Sequence, residues 1–152
     1  MFEKFYHRVE VRTYANLKRE KFIKILESLR VIRADYIIAA DIDTEPCVTA
    51  KKQYVRMKLQ DIETDKVQVV IKEIESWYLA GLDDSSQKEM GLPFLKATDD
   101  ITKEKFIELV PEKFDSRIDF MMEILKYFSP VVARSKNHSF DYFMAKYRLP
   151  AG

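Results

Sequence analysis

The chain of 152 residues carries 26 Lys and Arg against 25 Asp and Glu, a formal net charge of +1, with 47% hydrophobic and 12% aromatic residues. That is ample material for one buried core, and the balanced charge excludes a strong overall pull on nucleic acid or on an anionic membrane. Only 3 Gly and 5 Pro exclude disordered and loop-dominated scaffolds. The single cysteine, Cys47, cannot form an internal disulfide, and no apolar run reaches the length of a signal peptide or a membrane span. A cytoplasmic protein with no membrane partner is expected.

Residues 7–14 alternate, with Val9, Val11 and Thr13 on one parity and Arg8, Glu10 and Arg12 on the other. Period two with charge on one face predicts a strand near a sheet edge. Over 17–30 the period changes: Phe22, Ile25, Leu26 and Leu29 form the core stripe of an amphipathic helix, with Asn16 available as a cap. The apolar run 36–40 suits an interior parallel strand. It ends in Asp41-Ile42-Asp43-Thr44-Glu45-Pro46, where Pro46 is placed to open a helix running to about Leu59. That helix is expected to bury Val48, Val55 and Leu59 and to leave Lys51, Lys52, Arg56 and Lys58 outside. Residues 67–71 read as a further strand passing into a helix over 73–80 stopped by Gly81.

Strand and helix alternating in this way predict an α/β fold, a small and mainly parallel sheet flanked by helices. Residues 83–100 are polar and turn-rich. Helices are then expected at 103–110, 117–128 and 140–147, the last capped by Ser139. The whole reads as one domain over 1–152, a βα core over 1–81 with mostly helical cover over 82–152.

Two aspartates one residue apart at the exit of a buried strand point to the same side in extended geometry, so their carboxylates repel. A divalent cation with a preference for oxygen, Mg²⁺ or Mn²⁺, relieves such repulsion. In open parallel sheets ligands also bind beyond the carboxyl ends of the strands. Glu73 and Glu75 stand at the corresponding end of the next strand, with one of them expected to face inward. The same residues also fit plain helix capping, since acidic groups near a helix N-terminus are ordinary. Trp77 and Tyr78 read as core anchors, and Cys47 as a small buried filler. His7 and His138 lack metal-ligand spacing. Lys51 and Lys52, and Arg134 and Lys136 in the basic stretch before His138, are the candidate contacts to nucleic-acid phosphate.

The combination Ile-Ile-Ala-Ala-Asp-Ile-Asp-Thr-Glu-Pro-Cys (37–47), then Lys51-Lys52, then Glu-Ile-Glu-Ser-Trp-Tyr-Leu-Ala (73–80), resembles the TOPRIM-like families. It is closest to those around the RloB-type and OLD-type nuclease domains and their uncharacterised relatives. The stretch Ser139-Phe140-x-x-Phe143 looks like the terminal helix of those relatives, so the likeness covers residues from about 35 to 147. The resemblance implies a Mg²⁺ or Mn²⁺ site and phosphodiester chemistry on nucleic acid. Carried over by position, Asp41 and Asp43 are metal ligands, Glu75 completes the shell, and Glu75 and Glu73 are the catalytic candidates. The family pattern opens with a strand ending in glutamate, for which Glu3 and Glu10 are poor substitutes; the expectation is either that the chain starts late or that the fold has lost that strand. The alternative expectation is therefore a non-catalytic binding or oligomerisation module whose exposed sheet edge takes a second copy or a partner protein by strand addition.

Overall fold

The computed structural model describes residues 7–14, 16–60 and 62–147. Their order is α1 (Arg19–Val31), β1 (Ile38–Asp41), α2 (Val48–Leu59), a single 3-10 turn (Thr64–Lys66), β2 (Val67–Val70), α3 (Ile74–Ala80) and α4 (Asp84–Met90), followed by α5 (Lys103–Glu108), α6 (Arg117–Tyr127), α7 (Pro130–Lys136) and α8 (His138–Lys146). The fold is mixed α/β and mostly helical, with a small parallel sheet of two strands. Contacts divide the chain into two compact units. The first takes in residues up to Ala40 together with Thr44–Val69, and the second Asp41–Asp43 together with everything from Val70 onward. Among the described residues, no helix is long and apolar enough to cross a membrane.

In the first unit, β2 is buried along its whole length, as its unbroken run of Val67, Gln68, Val69 and Val70 requires. Past the end of β1, the Ile42 N–H donates to the Val70 carbonyl at 2.9 Å and extends the pairing by one residue. Successive residues of a strand turn their peptide groups to opposite edges, so the Ala39 carbonyl faces away from β2. The Tyr14 hydroxyl donates to it at 3.0 Å. One acceptor of the outer edge of β1 is thereby occupied by a side chain.

Four expectations need correction here. Residues 7–14 form no strand: Val11 is 92% exposed, Arg12 bonds to Glu10 at 2.8 Å, and alternation without an apolar surface to cover does not make a strand. Helix α1 starts later than Asn16, with Lys18 at its N-cap and no side-chain cap bond. Helix α2 opens not at Pro46 but at Val48, where Cys47, exposed and not buried, accepts the Ala50 N–H on Sγ at 3.5 Å. Its buried stripe is Lys51, Val55 and Leu59 with Val48 outside, since a lysine stem covers apolar surface as well as a valine does.

The second unit is built on helices whose ends are set by local chemistry. Asp83, Thr102, Ser116, Ser129 and Asn137 each accept a backbone N–H in the first turn that follows. Two helices occupy segments where periodicity alone predicts none. Helix α4 lies within the polar stretch 83–100 and ends on Gly91 at φ 79°, a left-handed cap that glycine alone adopts without strain. Helix α7 has Pro130 in its first turn behind the Ser129 cap. Both are seven residues long, too short for an amphipathic stripe to register. Asn137, not Ser139, caps α8.

The core of this unit gathers Leu79, Leu82, Ile101, Phe106, Phe120 and Ile124. Burying each large apolar side chain contributes about 1.5–3 kcal/mol, so helices this short are held by packing and not by propensity. Gly81 ends α3 with φ −74°, so its role is one of space. A Cβ there would lie 2.1 Å from Cδ2 of Phe128. Gly81→Ala is accordingly expected to cost about 2–3 kcal/mol through displacement of the Phe128 ring, read as a lowered urea midpoint at unchanged slope.

Candidate acidic site

Two residues past the end of each parallel strand the backbone turns left-handed. After β1 the chain reverses at Asp43 (φ 49°), and after β2 at Lys72 (φ 62°). Aspartate tolerates that conformation better than lysine does, because its short polar side chain bonds locally. Asp41, the last residue of β1, is half-buried, whereas Asp43 is exposed. The extended geometry expected for the pair thus holds only up to Asp41; the reversal at Asp43 takes the second aspartate out of strand register.

Beyond Lys72, Glu73 is the N-cap residue of α3, and Glu75 lies in its first turn. Glu75 is 5% exposed and Glu73 half-buried, so Glu75 is the one that faces inward. Burial first, and then the negative charges of Glu73, Glu75 and Asp43, push the Asp41 carboxyl up from 3.8 to about 6, opposed by the Ile74 N–H, which bonds to it. Glu73 is also raised, chiefly by burial and by Glu75 and Asp43, with Lys103 acting the other way. All of these groups belong to the second unit. The structure therefore brings Asp41, Glu73 and Glu75 into one electrostatic cluster, with Asp43 at its margin.

Arg117 enters the cluster without any warning in the sequence. Its Nη1 donates to Oε1 of Glu75 at 2.8 Å, and the two side chains are 34% and 6% exposed. The pair spans 42 positions, and Arg117 sits at the start of α6 like any first-turn residue, so no local spacing signals it. Removing Arg117 strands the buried carboxylate of Glu75. Arg117→Met is expected to cost about 3 kcal/mol, and most of that loss should return in the double variant with Glu75→Met. Thermal unfolding of the single and double variants checks both expectations.

The basic candidates each have surroundings of their own. Lys51 is buried in the first unit with Nζ 5.4 Å from the Tyr54 ring centre, and Lys52 next to it is half-buried. Arg134 pairs with Asp141 at 2.6 Å. Lys136 donates to the Leu82 carbonyl at 2.9 Å and contacts Asp84 at 3.4 Å, with 10% of its side chain exposed. His138 is exposed, and its Nδ1 lies 2.8 Å from Asp99, which raises its pKa.

The motif halves 73–80 and 139–143 meet inside the second unit. Trp77 Nε1 donates to Ser139 Oγ at 2.7 Å, and the indole lies edge-on to Phe140 and tilted against Phe143, with centroids 5.2 and 5.1 Å away. Asn137 donates to Ser76 Oγ at 3.2 Å and Thr98 Oγ1 at 3.1 Å, and accepts from Ser139 Oγ and the Phe140 N–H. These residues hold α3 against the start of α8.

Among the described residues, no three Asp, Glu, His or Cys side chains are gathered closely enough to enclose a metal ion. Glu75 is committed to Arg117. Asp41 and Glu73 remain as candidate donors, with Asp43 at the margin of the cluster, and these fit a hydrated Mg²⁺ or Mn²⁺ held through one or two carboxylates in preference to a closed cage. We found no family model, curated protein or solved structure that matches the chain. Fold and site define a mostly helical α/β chain with an acidic cluster at the carboxyl ends of two parallel strands.

Proposed function

We propose that the chain is a TOPRIM-like domain that acts on nucleic-acid phosphodiesters with Mg²⁺ or Mn²⁺ on Asp41. One observation carries this reading: burial, and then the negative charges of Glu73, Glu75 and Asp43, raise the strand-end carboxyl of Asp41 to about 6, a cost that a cation beside it would relieve. Glu73 and Asp43 complete the ligand candidates, and Glu75 is braced behind them by Arg117. A bound Mg²⁺ would neutralise phosphate charge and lower the pKa of its water. Glu73, raised and half-buried, is the best placed of the glutamates to accept or deliver a proton. The test is hydrolysis of bis(p-nitrophenyl) phosphate and of labelled single- and double-stranded DNA and RNA with Mn²⁺. Turnover lost on chelation and in Asp41→Asn is expected.

The non-catalytic alternative rests on the neighbours of the charged groups: Glu75, Arg134 and Lys136 all have partners within the chain. Tight nucleic-acid binding without turnover would favour it.

A further inference from the structure

Helix α6 is apolar over more of its circumference than the fold uses. Phe120 and Ile124 are fully buried in the core, while Ile118, Met122 and Leu125 are 65%, 60% and 48% exposed. Those three fall at i, i+4 and i+7, one line along the helix on the side away from the buried Phe120 and Ile124. Three large aliphatic side chains in a row on a charged surface differ from the scattered exposed apolar residues that every protein carries.

The charges flanking this line say what covers it. Asp119 stands at the N-terminal end of one flank and Lys126 at the C-terminal end of the same flank, with Met122 between them. In an antiparallel pairing of two identical helices, each flank meets the same flank of its partner, running the other way. Asp119 then faces the partner's Lys126, and Lys126 the partner's Asp119. The two helix dipoles also oppose head to tail, which favours the antiparallel arrangement. The pairs compete with local ones, Asp119 with Ser116 at 2.6 Å and Lys126 with Glu123 at 2.6 Å, but exposed contacts within one helix are worth only a few tenths of a kcal/mol.

We infer that the exposed line Ile118–Met122–Leu125 of α6 is a self-association surface that pairs antiparallel with a second copy of this chain about a two-fold axis near Met122. A helix roughly 16 Å long covers less than the roughly 800 Å² per partner of stable complexes, so the dimer is weak, with a Kd on the order of 10–100 μM.

Sedimentation equilibrium of the full chain over a concentration series tests this. The wild type should pass from monomer to dimer, and Met122→Glu, which sets like charges against each other at the axis, should remain monomeric. Asp119→Lys should weaken the dimer about tenfold or more, and adding Lys126→Asp should restore it, because reciprocal exchange rescues only an antiparallel self-pairing. In a Cys47→Ser background, Met122→Cys should cross-link to itself on mild oxidation, a readout that does not depend on Asp119 or on its bond to the Ser116 cap. A wild type that stays monomeric to about 1 mM, a dimer indifferent to Met122→Glu, or a double exchange no better than the single one would each overturn the inference.

Discussion

Trp77→Ala should cost about 3–5 kcal/mol, a large share of the 5–15 kcal/mol by which domains are ordinarily stable. The indole is 8% exposed and sits between Phe140 and Phe143, so truncation opens a cavity that two flanking rings cannot both fill. It also removes the N–H that donates to the Ser139 Oγ, a hydroxyl that keeps its own bond to Asn137 Oδ1 at 2.8 Å. Trp77→Phe separates these effects, keeping most of the apolar contact and losing the N–H donor at a cost of about 1–2 kcal/mol. Asn137→Ala should lie between the two, because it removes the amide that donates to the hydroxyls of Ser76 and Thr98 and uncaps α8. Urea unfolding followed by tryptophan fluorescence, with circular dichroism for Trp77 variants, gives these values. A Trp77→Ala cost below about 1 kcal/mol would mean that α3 and α8 are not joined through this side chain.

Asp41→Asn is expected to stabilise the cation-free protein at neutral pH. The folded-state carboxyl titrates near 6 against an ordinary 3.8, so between those values the folded chain holds a proton that the unfolded chain has released. Stability therefore falls as pH rises from about 4 to about 6, and is level above that. A shift of about two units corresponds to roughly 3 kcal/mol, which solvent screening of this half-buried group reduces to about 1–2 kcal/mol. Asparagine keeps an acceptor for the Ile74 N–H and removes the charge, so the variant should gain about 1 kcal/mol at pH 8 and lose the slope. A residue whose removal strengthens the fold is held there for something other than the fold. Melting temperatures of both proteins from pH 4 to 8 in chelator give the comparison; a destabilised variant with the slope retained would place the charge strain on another group.

Much of the first half of the chain is legible because its signals are local. The apolar run before Asp41 and the Val-rich run from Val67 are too long and too β-branched for loops, and both become paired strands. The failure at 7–14 has the opposite cause: alternation records which side chains could share a face, not whether a face is there to receive them. Helices α4 and α7 declare themselves only through Asp83, Gly91, Ser129 and Pro130, capping signals that outweigh periodicity in a segment of two turns.

At the acidic cluster, position along the chain reveals Asp41, Glu73 and Glu75 as strand-end carboxyls. It does not reveal the left-handed turn at Asp43, which depends on the path the chain takes after β1. Nor does it reveal Arg117, which reaches Glu75 only because α6 packs on α3. The pairing of Trp77 with Ser139 turns two motifs that read as family marks into one structural clamp.

Isothermal titration of Mn²⁺ into the full chain at pH 7.5, repeated with Asp41→Asn, tests the proposed metal site most directly. A single saturable site in the wild type, at least tenfold weaker in the variant, is predicted, since one carboxylate ligand of a hydrated ion carries much of its affinity. No saturable heat in the wild type, or equal binding by both proteins, would contradict it.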